Sequence, residues 1–307
     1  MALAKTEFIW MDGQFVPWDQ AHIHICSHVI HYGSGVFEGL RCYDTLKGPV
    51  IFRLKEHTDR IFNSAKIYRM TIPFAKEQIN SACVELIKKN GLKEAYIRPL
   101  AYRGYNELGV NPFNCPVKFA IAAWPWGKYL GPEALEAGVD VMVSSWNRMR
   151  PNTFPAMAKA CANYMNSQLI KMEALTYGFT EGIALDAAGY VSEGSGENIF
   201  AVKDGIVNTP PLNACILPGI TRDTVIRLAE NLNLPLKEQM LAREFLYIAD
   251  EVFFTGSAAE VTPIRSIDKI QVGIGKAGPI TKQLQTAYFD VIEGRAPDKY
   301  GWLTPVK

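Results

Sequence analysis

The chain has little that would suit it to nucleic acid, a membrane or an oxidising compartment. Its 32 Lys and Arg stand against 31 Asp and Glu, a net charge of +1, so no field draws in a polyanion or an anionic bilayer. No apolar run approaches the roughly 20 residues of a membrane span, and Met1 to Trp18 carries charge where a signal peptide would be apolar. Cys26, Cys42, Cys83, Cys115, Cys161 and Cys215 are dispersed without a Cys-x-x-Cys pair, and a chain of this size needs no disulfide staples. Internal repeats and low-complexity tracts are missing too. These absences predict a cytoplasmic globular protein whose partners are small molecules, and 307 residues are enough for two domains.

What is present is dense in turn signals. Lys5 to Trp18 alternates around Asp12-Gly13 and predicts an opening hairpin. Leu54 to Met70 sets Leu54, His57, Ile61, Ala65 and Tyr68 on one helical stripe, and Phe74 to Lys89 repeats the pattern before Asn90-Gly91. Strand-like runs follow at Ala95 to Tyr102 and Val117 to Trp126. The break beyond them predicts a small domain over 1–126, a linker over 127–137 and a larger domain over 138–307. In the second half, Asp186-Ala-Ala-Gly189 and Asp204-Gly205 read as hairpin turns. Asn163 to Tyr177, Asp223 to Leu232 and Ile280 to Ile292 read as helices, and Glu251 to Thr255 as a strand. Strands and helices intermix without regular βαβ alternation, so the fold class expected is α+β.

Lys159 lies in Pro155-Ala-Met-Ala-Lys-Ala-Cys-Ala162, among neighbours too small and apolar to need a solubilising amine. Desolvation there would favour the neutral amine, the form a nucleophilic lysine needs; a surface helix lysine is the plainer use of the residue. Glu193 opens Glu-Gly-Ser-Gly-Glu-Asn-Ile-Phe200 directly after a hairpin strand. Its carboxylate could face a cationic ring or simply end a turn. Pro218-Gly219-Ile220-Thr221 precedes a helix, where free N–H groups suit a phosphate, although a Thr N-cap is the commoner use of such a sequence. Thr255-Gly-Ser-Ala-Ala259 is a second cluster of small residues able to approach an anion. Arg60, at the edge of the helical stripe, could reach a phosphate, but the pattern alone favours a solvated guanidinium.

Six motifs taken together resemble a known family. They are Tyr32-Gly-Ser-Gly-Val-Phe-Glu-Gly39, Ala95-Tyr-Ile-Arg-Pro99, Asn152-Thr-Phe-Pro155 with Lys159 and Asn163-Tyr164, Glu193-Gly-Ser-Gly-Glu-Asn198, Leu217-Pro-Gly-Ile-Thr-Arg222 and Gly256-Ser-Ala-Ala-Glu260. In this order, from about Phe8 to Trp302, they resemble the branched-chain amino acid aminotransferases, and most of all the bacterial ones. The resemblance implies fold type IV and pyridoxal 5′-phosphate as cofactor. It makes Lys159 the Schiff-base lysine, Glu193 the partner of the pyridine nitrogen and Tyr164 the partner of the phenolic oxygen. Arg60, Gly219, Ile220, Thr221 and Ser257 would surround the phosphate, and Ser257, Ala258 and Ala259 would receive the substrate α-carboxylate. Tyr32, Phe37, Gly39, Tyr96, Arg98, Trp126 and Tyr129 would line the side-chain pocket, some of them across a dimer interface. The implied partners are branched-chain L-amino acids, glutamate and their 2-oxo acids. The implied assembly is a homodimer at least, built into a trimer of dimers.

Other readings compete. A D-amino acid aminotransferase resembles a pattern with His two residues after the pocket Arg, where this chain has Leu100; an aminodeoxychorismate lyase fits the aromatic pocket less well. Gly273-Ile-Gly-Lys-Ala-Gly278 matches a dinucleotide-binding fingerprint, but too little chain follows it for a nucleotide domain. His22, His24, His28 and His31 suggest a metal, yet their spacing mixes strand and helix periods and only Asp19 joins them. A non-enzymatic scaffold leaves the lysine, the glutamate and the anion cradle unexplained.

Overall fold

The computed structural model describes residues 3–127 and 133–307, which group into two compact units. The first comprises Met1–Gly127, Ala158–Ala162 and Ile292–Lys307; the second comprises Lys128–Met157 and Asn163–Val291. This differs from a division into 1–126 and 138–307, because the chain re-enters the first unit twice. Ala158 and Ala160 bury into the first unit's core, and Leu303–Pro305 adds a strand beside Gly48–Phe52. Neither return is encoded in local periodicity.

In the first unit the described residues form an eight-stranded sheet whose neighbours are all antiparallel. The opening hairpin pairs Phe8–Met11 with Gln14–Pro17 around Asp12 and Gly13, at φ 48° and 94°. Helices Leu54–Ile67 and Lys76–Lys89 bury Leu54, His57, Ile61, Ala65, Ile79, Cys83 and Leu86. Tyr68 falls beyond the first of these helices, and Arg69 then turns away at φ 53°. Strand Ala95–Arg103 pairs along its length with Val117–Pro125. With a period of two, Ala95, Ile97, Ala101, Phe119, Ile121 and Ala123 join the core, while Tyr96, Arg98 and Trp124 share the opposite face. Each large aliphatic or aromatic side chain buried in this way contributes about 1.5–3 kcal/mol.

In the second unit the described residues form a nine-stranded mixed sheet. Val139–Val143 runs parallel to Glu181–Leu185 and to Glu260–Ile267, while Asn198–Lys203 lies antiparallel to Ile206–Thr209 and Glu251–Gly256. Helices Tyr164–Thr176, Ile220–Asn231 and Pro279–Ile292 accompany it. The hairpin turns carry positive φ at Gly189, Asp204 and Gly205. Glu193 lies inside strand Val191–Gly194 rather than after it. Intermixed helices and strands make the class α+β.

The glycines from Gly273 to Gly278 turn the chain into helix Pro279–Ile292, and their space is filled by protein. A Cβ at Gly273 would come 1.9 Å from the Asp250 carbonyl oxygen, and one at Gly278 2.2 Å from the Glu251 carboxyl carbon. Glu251 accepts the N–H groups of Ile280 and Thr281 at 3.0 and 2.7 Å, so a carboxylate of the chain occupies the place a pyrophosphate would take. Among the described residues no helix is long and apolar enough to cross a membrane.

Candidate active site

Lys159 is fixed through its backbone. Its N–H donates to the Ser64 hydroxyl at 3.0 Å, its carbonyl accepts the Phe37 N–H at 3.0 Å, and Ala160 bridges to Val36. The segment therefore behaves as an extra strand, with Ala158 and Ala160 turned into the core and Lys159 turned away from it. The amine lies 5.0 Å from the centroid of the Phe37 ring.

Beside this segment stands a buried ionic cluster that the sequence did not reveal. Glu38 is fully buried and takes Arg60 on both oxygens, at 2.6 and 2.8 Å, with His57 Nδ1 2.6 Å from Oε2. Burial alone would raise the Glu38 carboxyl; the Arg60 guanidinium and His57 outweigh it and hold the group far below the usual carboxylate range. Burial also lowers His57, against the opposing pull of Glu38. Arg60 is thus a paired guanidinium and not the solvated one that the helical pattern favours. Two of its nitrogens are held by Glu38, which sets the direction of the group.

Arg98 lies within an aromatic cluster. Its Cζ is 4.8 Å from the Phe37 ring, 5.1 Å from Tyr96 and 5.8 Å from Trp124. Tyr96 stacks obliquely on Trp124 and Trp126, at 5.4 and 4.9 Å between centroids. Gly39 is small of necessity, since a Cβ there would sit 1.8 Å from the Tyr96 hydroxyl. Among the described residues Arg98 Nε is buried without a hydrogen-bond partner. A guanidinium in that state suits an anionic ligand.

In the second unit, Glu193 is 6% exposed and engaged on both oxygens. Arg148 Nη2 is 3.1 Å from Oε1, while Asn198 Nδ2 and the Leu217 N–H donate to Oε2 at 3.0 and 3.1 Å. Arg148 in turn donates to the carbonyls of Gly194 and Ser195, to Asn166 and to Ser167. The carboxylate therefore cannot swing. Below it, burial and then the charge of Glu181 raise the Glu197 carboxyl to about 8.

Gly219 is the N-cap of helix Ile220–Asn231, in extended conformation, so Ile220 and Thr221 are the first helical residues and Thr221 is not the cap. A Cβ at Gly219 would strike Asn198 Oδ1 at 1.8 Å. The same Asn198 amide also donates to the Leu217 carbonyl at 3.0 Å, tying this turn to Glu193. Asp223, which by sequence opposes an anion at this terminus, pairs with Arg227 at 3.0 Å. Ser257, Ala258 and Ala259 form the loop between strands Glu251–Gly256 and Glu260–Ile267, closed by the pair Gly256 and Glu260, with Glu260 at φ 55°. Tyr164 begins helix Tyr164–Thr176 and is half-buried.

The first unit thus gathers Lys159, Phe37, Gly39, Arg60, Tyr96, Arg98 and Trp126. The second gathers Glu193, Gly219, Ile220 and Thr221. Tyr32 ends the short helix His28–Tyr32 at 45% exposure, with its ring against His28 and His31. Tyr129 lies outside the described residues. Three of these histidines make structural hydrogen bonds: His28 meets Ser34 Oγ and the Gly109 carbonyl, His31 the Ile25 carbonyl, and His24 accepts the Cys26 N–H. Among the described residues no three His, Cys, Asp or Glu gather as a metal site. Sequence reasoning missed Glu38, Arg148 and the role of Asn198. Glu38 had a signal, an acid between Phe37 and Gly39 in a run of small and apolar residues; Arg148 had none.

Comparison with known proteins bears on this arrangement. The family described as amino-transferase class IV matches residues 35–267. The branched-chain-amino-acid aminotransferase of Escherichia coli (strain K12) is 53% identical over 310 residues, covering 100% of this chain and 99% of that protein. A crystal structure of the Escherichia coli enzyme matches with a TM-score of 0.97 at 53% identity, over 99% of this chain and 100% of that one. The branched-chain amino acid aminotransferase from Thermobaculum terrenum, solved in its PLP-bound holo-form, matches with a TM-score of 0.92 at 35% identity, over 98% of this chain and 99% of that one.

Proposed function

The chain belongs to the class IV amino-transferases, and from that membership we propose that it is a pyridoxal-phosphate-dependent branched-chain-amino-acid aminotransferase. It exchanges the amino group between leucine, isoleucine or valine and 2-oxoglutarate. Most weight rests on Glu193, a buried carboxylate whose two oxygens are both held in place. The chain's chemistry fits the cofactor: a lysine with a fixed backbone, an immobile anion, a helix N-terminus behind a glycine, and a directed arginine.

When bound, pyridoxal phosphate supplies an aldehyde for amines and a ring that draws the electron pair left at the substrate Cα. Lys159 holds the cofactor between turnovers, removes the Cα proton and delivers a proton to the cofactor's C4′. Glu193 accepts the pyridine N–H and keeps the ring protonated; Tyr164 donates to the phenolic oxygen. Gly219, Ile220, Thr221, Ser257 and Arg60 hold the phosphate, and Glu38 aims Arg60. The turn Ser257, Ala258 and Ala259 receives the substrate α-carboxylate. Phe37, Gly39, Tyr96, Trp126, Tyr32 and Tyr129 enclose the side chain, with Arg98 meeting the second carboxylate of glutamate. One site then serves both substrates in turn, and kinetics are ping-pong.

The working unit is a homodimer at least, assembled as a trimer of dimers, and its location is the cytoplasm. The exposure of Tyr32, Ile25, Ile30, Leu108, Val110 and Phe113 supports an interface, which sedimentation would measure. The test of the activity is an absorption spectrum of purified protein, recorded before and after L-leucine and then after 2-oxoglutarate. The cofactor band should be lost with the first and regained with the second. Colourless protein, or bleaching by D-alanine in place of L-leucine, would defeat the proposal.

A further inference from the structure

Trp124 stands directly opposite Tyr96 in the strand register, on the same face as Arg98. Across from Arg98 is Ala122. On this face Arg98 Nε and Trp124 Nε1 are buried without a hydrogen-bond partner among the described residues. Folded proteins seldom leave such groups unpaired, because a buried donor with no acceptor forfeits its hydration. An indole N–H can only donate and has no second tautomer, so it is satisfied only by an acceptor brought to it. With Arg98 Cζ 5.8 Å from the Trp124 ring, the two donors are near enough to share one ligand.

Resting on the aminotransferase reading above, we infer that Trp124 is a specificity-determining residue for the acidic co-substrate. Its indole N–H donates to the side-chain carboxylate that Arg98 pairs with. A carboxylate has two oxygens and can satisfy both donors at once. A branched aliphatic side chain satisfies neither and gains only contact with the ring faces of Tyr96, Trp124 and Phe37. The indole nitrogen thereby separates glutamate from leucine within one pocket, while the ring surface serves both.

The test compares wild-type holoenzyme with Trp124→Phe, which keeps an aromatic ring and removes the N–H. Calorimetric titration with glutarate and with 4-methylvalerate, neither of which can react, should show glutarate affinity falling about tenfold and 4-methylvalerate affinity about twofold or less. The KM for 2-oxoglutarate should rise more than that for leucine. In wild-type protein, the indole N–H resonance that disappears in Trp124→Phe should move downfield with glutarate and stay with 4-methylvalerate. Equal weakening of both acids, unchanged glutarate affinity, or a resonance indifferent to glutarate would each overturn the inference. Wild-type protein that does not turn over leucine with 2-oxoglutarate would remove the aminotransferase reading and this inference with it; intact turnover with unmoved glutarate affinity would remove this inference alone.

Discussion

Arg60 grips Glu38 with two parallel hydrogen bonds, Nε to Oε1 at 2.6 Å and Nη2 to Oε2 at 2.8 Å, around a carboxylate with no solvent exposure. Removing one partner of a buried ion pair strands the other, at about 3–5 kcal/mol. Glu38→Gln should therefore lower thermal stability by an amount near the bottom of that range, since the amide still offers one oxygen. It should also weaken cofactor retention, because Arg60 loses its direction. Thermal denaturation of the apoenzyme and titration with pyridoxal phosphate measure the two effects. An unchanged melting temperature would show that the pair adds nothing.

The Glu197 carboxyl gives the fold a pH dependence of definite sign. Raised from the ordinary 4.5 to about 8 by burial and by Glu181, it is protonated in the folded chain at pH 7 and ionised in the unfolded one. Between pH 4.5 and about 8 the folded state binds more protons, so this residue's contribution diminishes as pH rises through that window. Glu197→Gln preserves the acceptor for the Gly196 N–H, 3.0 Å away, and removes the titration. The variant should gain steadily on wild type from pH 5 to pH 8, by on the order of 3 kcal/mol across that range. A constant offset across that range would contradict it.

How far the sequence discloses this protein depends on the distance over which each signal acts. Asp12-Gly13 and Asp204-Gly205 are legible because a hairpin turn demands positive φ at those very residues. Lys159 is legible because its neighbours are small, and Ala158 and Ala160 are small because they pack in the core. Glu38 and Arg60 are 22 residues apart on a strand edge and a helix, and nothing local couples them. Trp124 reads as an ordinary strand aromatic until its unpaired nitrogen and its neighbour Arg98 are both known. The re-entry of 158–162 and 292–307 into the first unit is likewise a matter of long-range pairing, which periodicity does not carry.

The Gly273 to Gly278 run separates a motif from its function. Glu251 accepts from Ile280 N–H, Thr281 N–H and Thr281 Oγ1, the last at 2.6 Å, and so caps helix Pro279–Ile292. Glu251→Ala leaves those donors buried without an acceptor and should cost about 1–3 kcal/mol of stability by denaturant titration. If the run instead bound a dinucleotide, removing the carboxylate would open the site, and NADH would stabilise the variant. Thermal shift with and without NADH distinguishes the two; no shift is expected.

Gly219 and Asn198 are bound in one steric constraint. The backbone at Gly219 has an ordinary φ of −68°, so only space requires glycine there, and the space belongs to Asn198 Oδ1. Asn198 is buried, and its amide donates at 3.0 Å both to Glu193 and to Leu217, so it cannot yield without releasing the carboxylate and the turn. Gly219→Ala should therefore weaken pyridoxal phosphate binding about tenfold or more, the effect of losing about one hydrogen bond to a charged group. Asn198→Ala should weaken it comparably by removing the same bond. In the double variant the severe clash is gone and the tightest contact left is Arg222 Cβ at 3.3 Å, so its affinity should lie close to that of Asn198→Ala alone, a coupling of the kind neighbours show. Fluorescence titration of the three apoenzymes decides it: additive losses would mean that the added methyl acts on the site by a route other than Asn198.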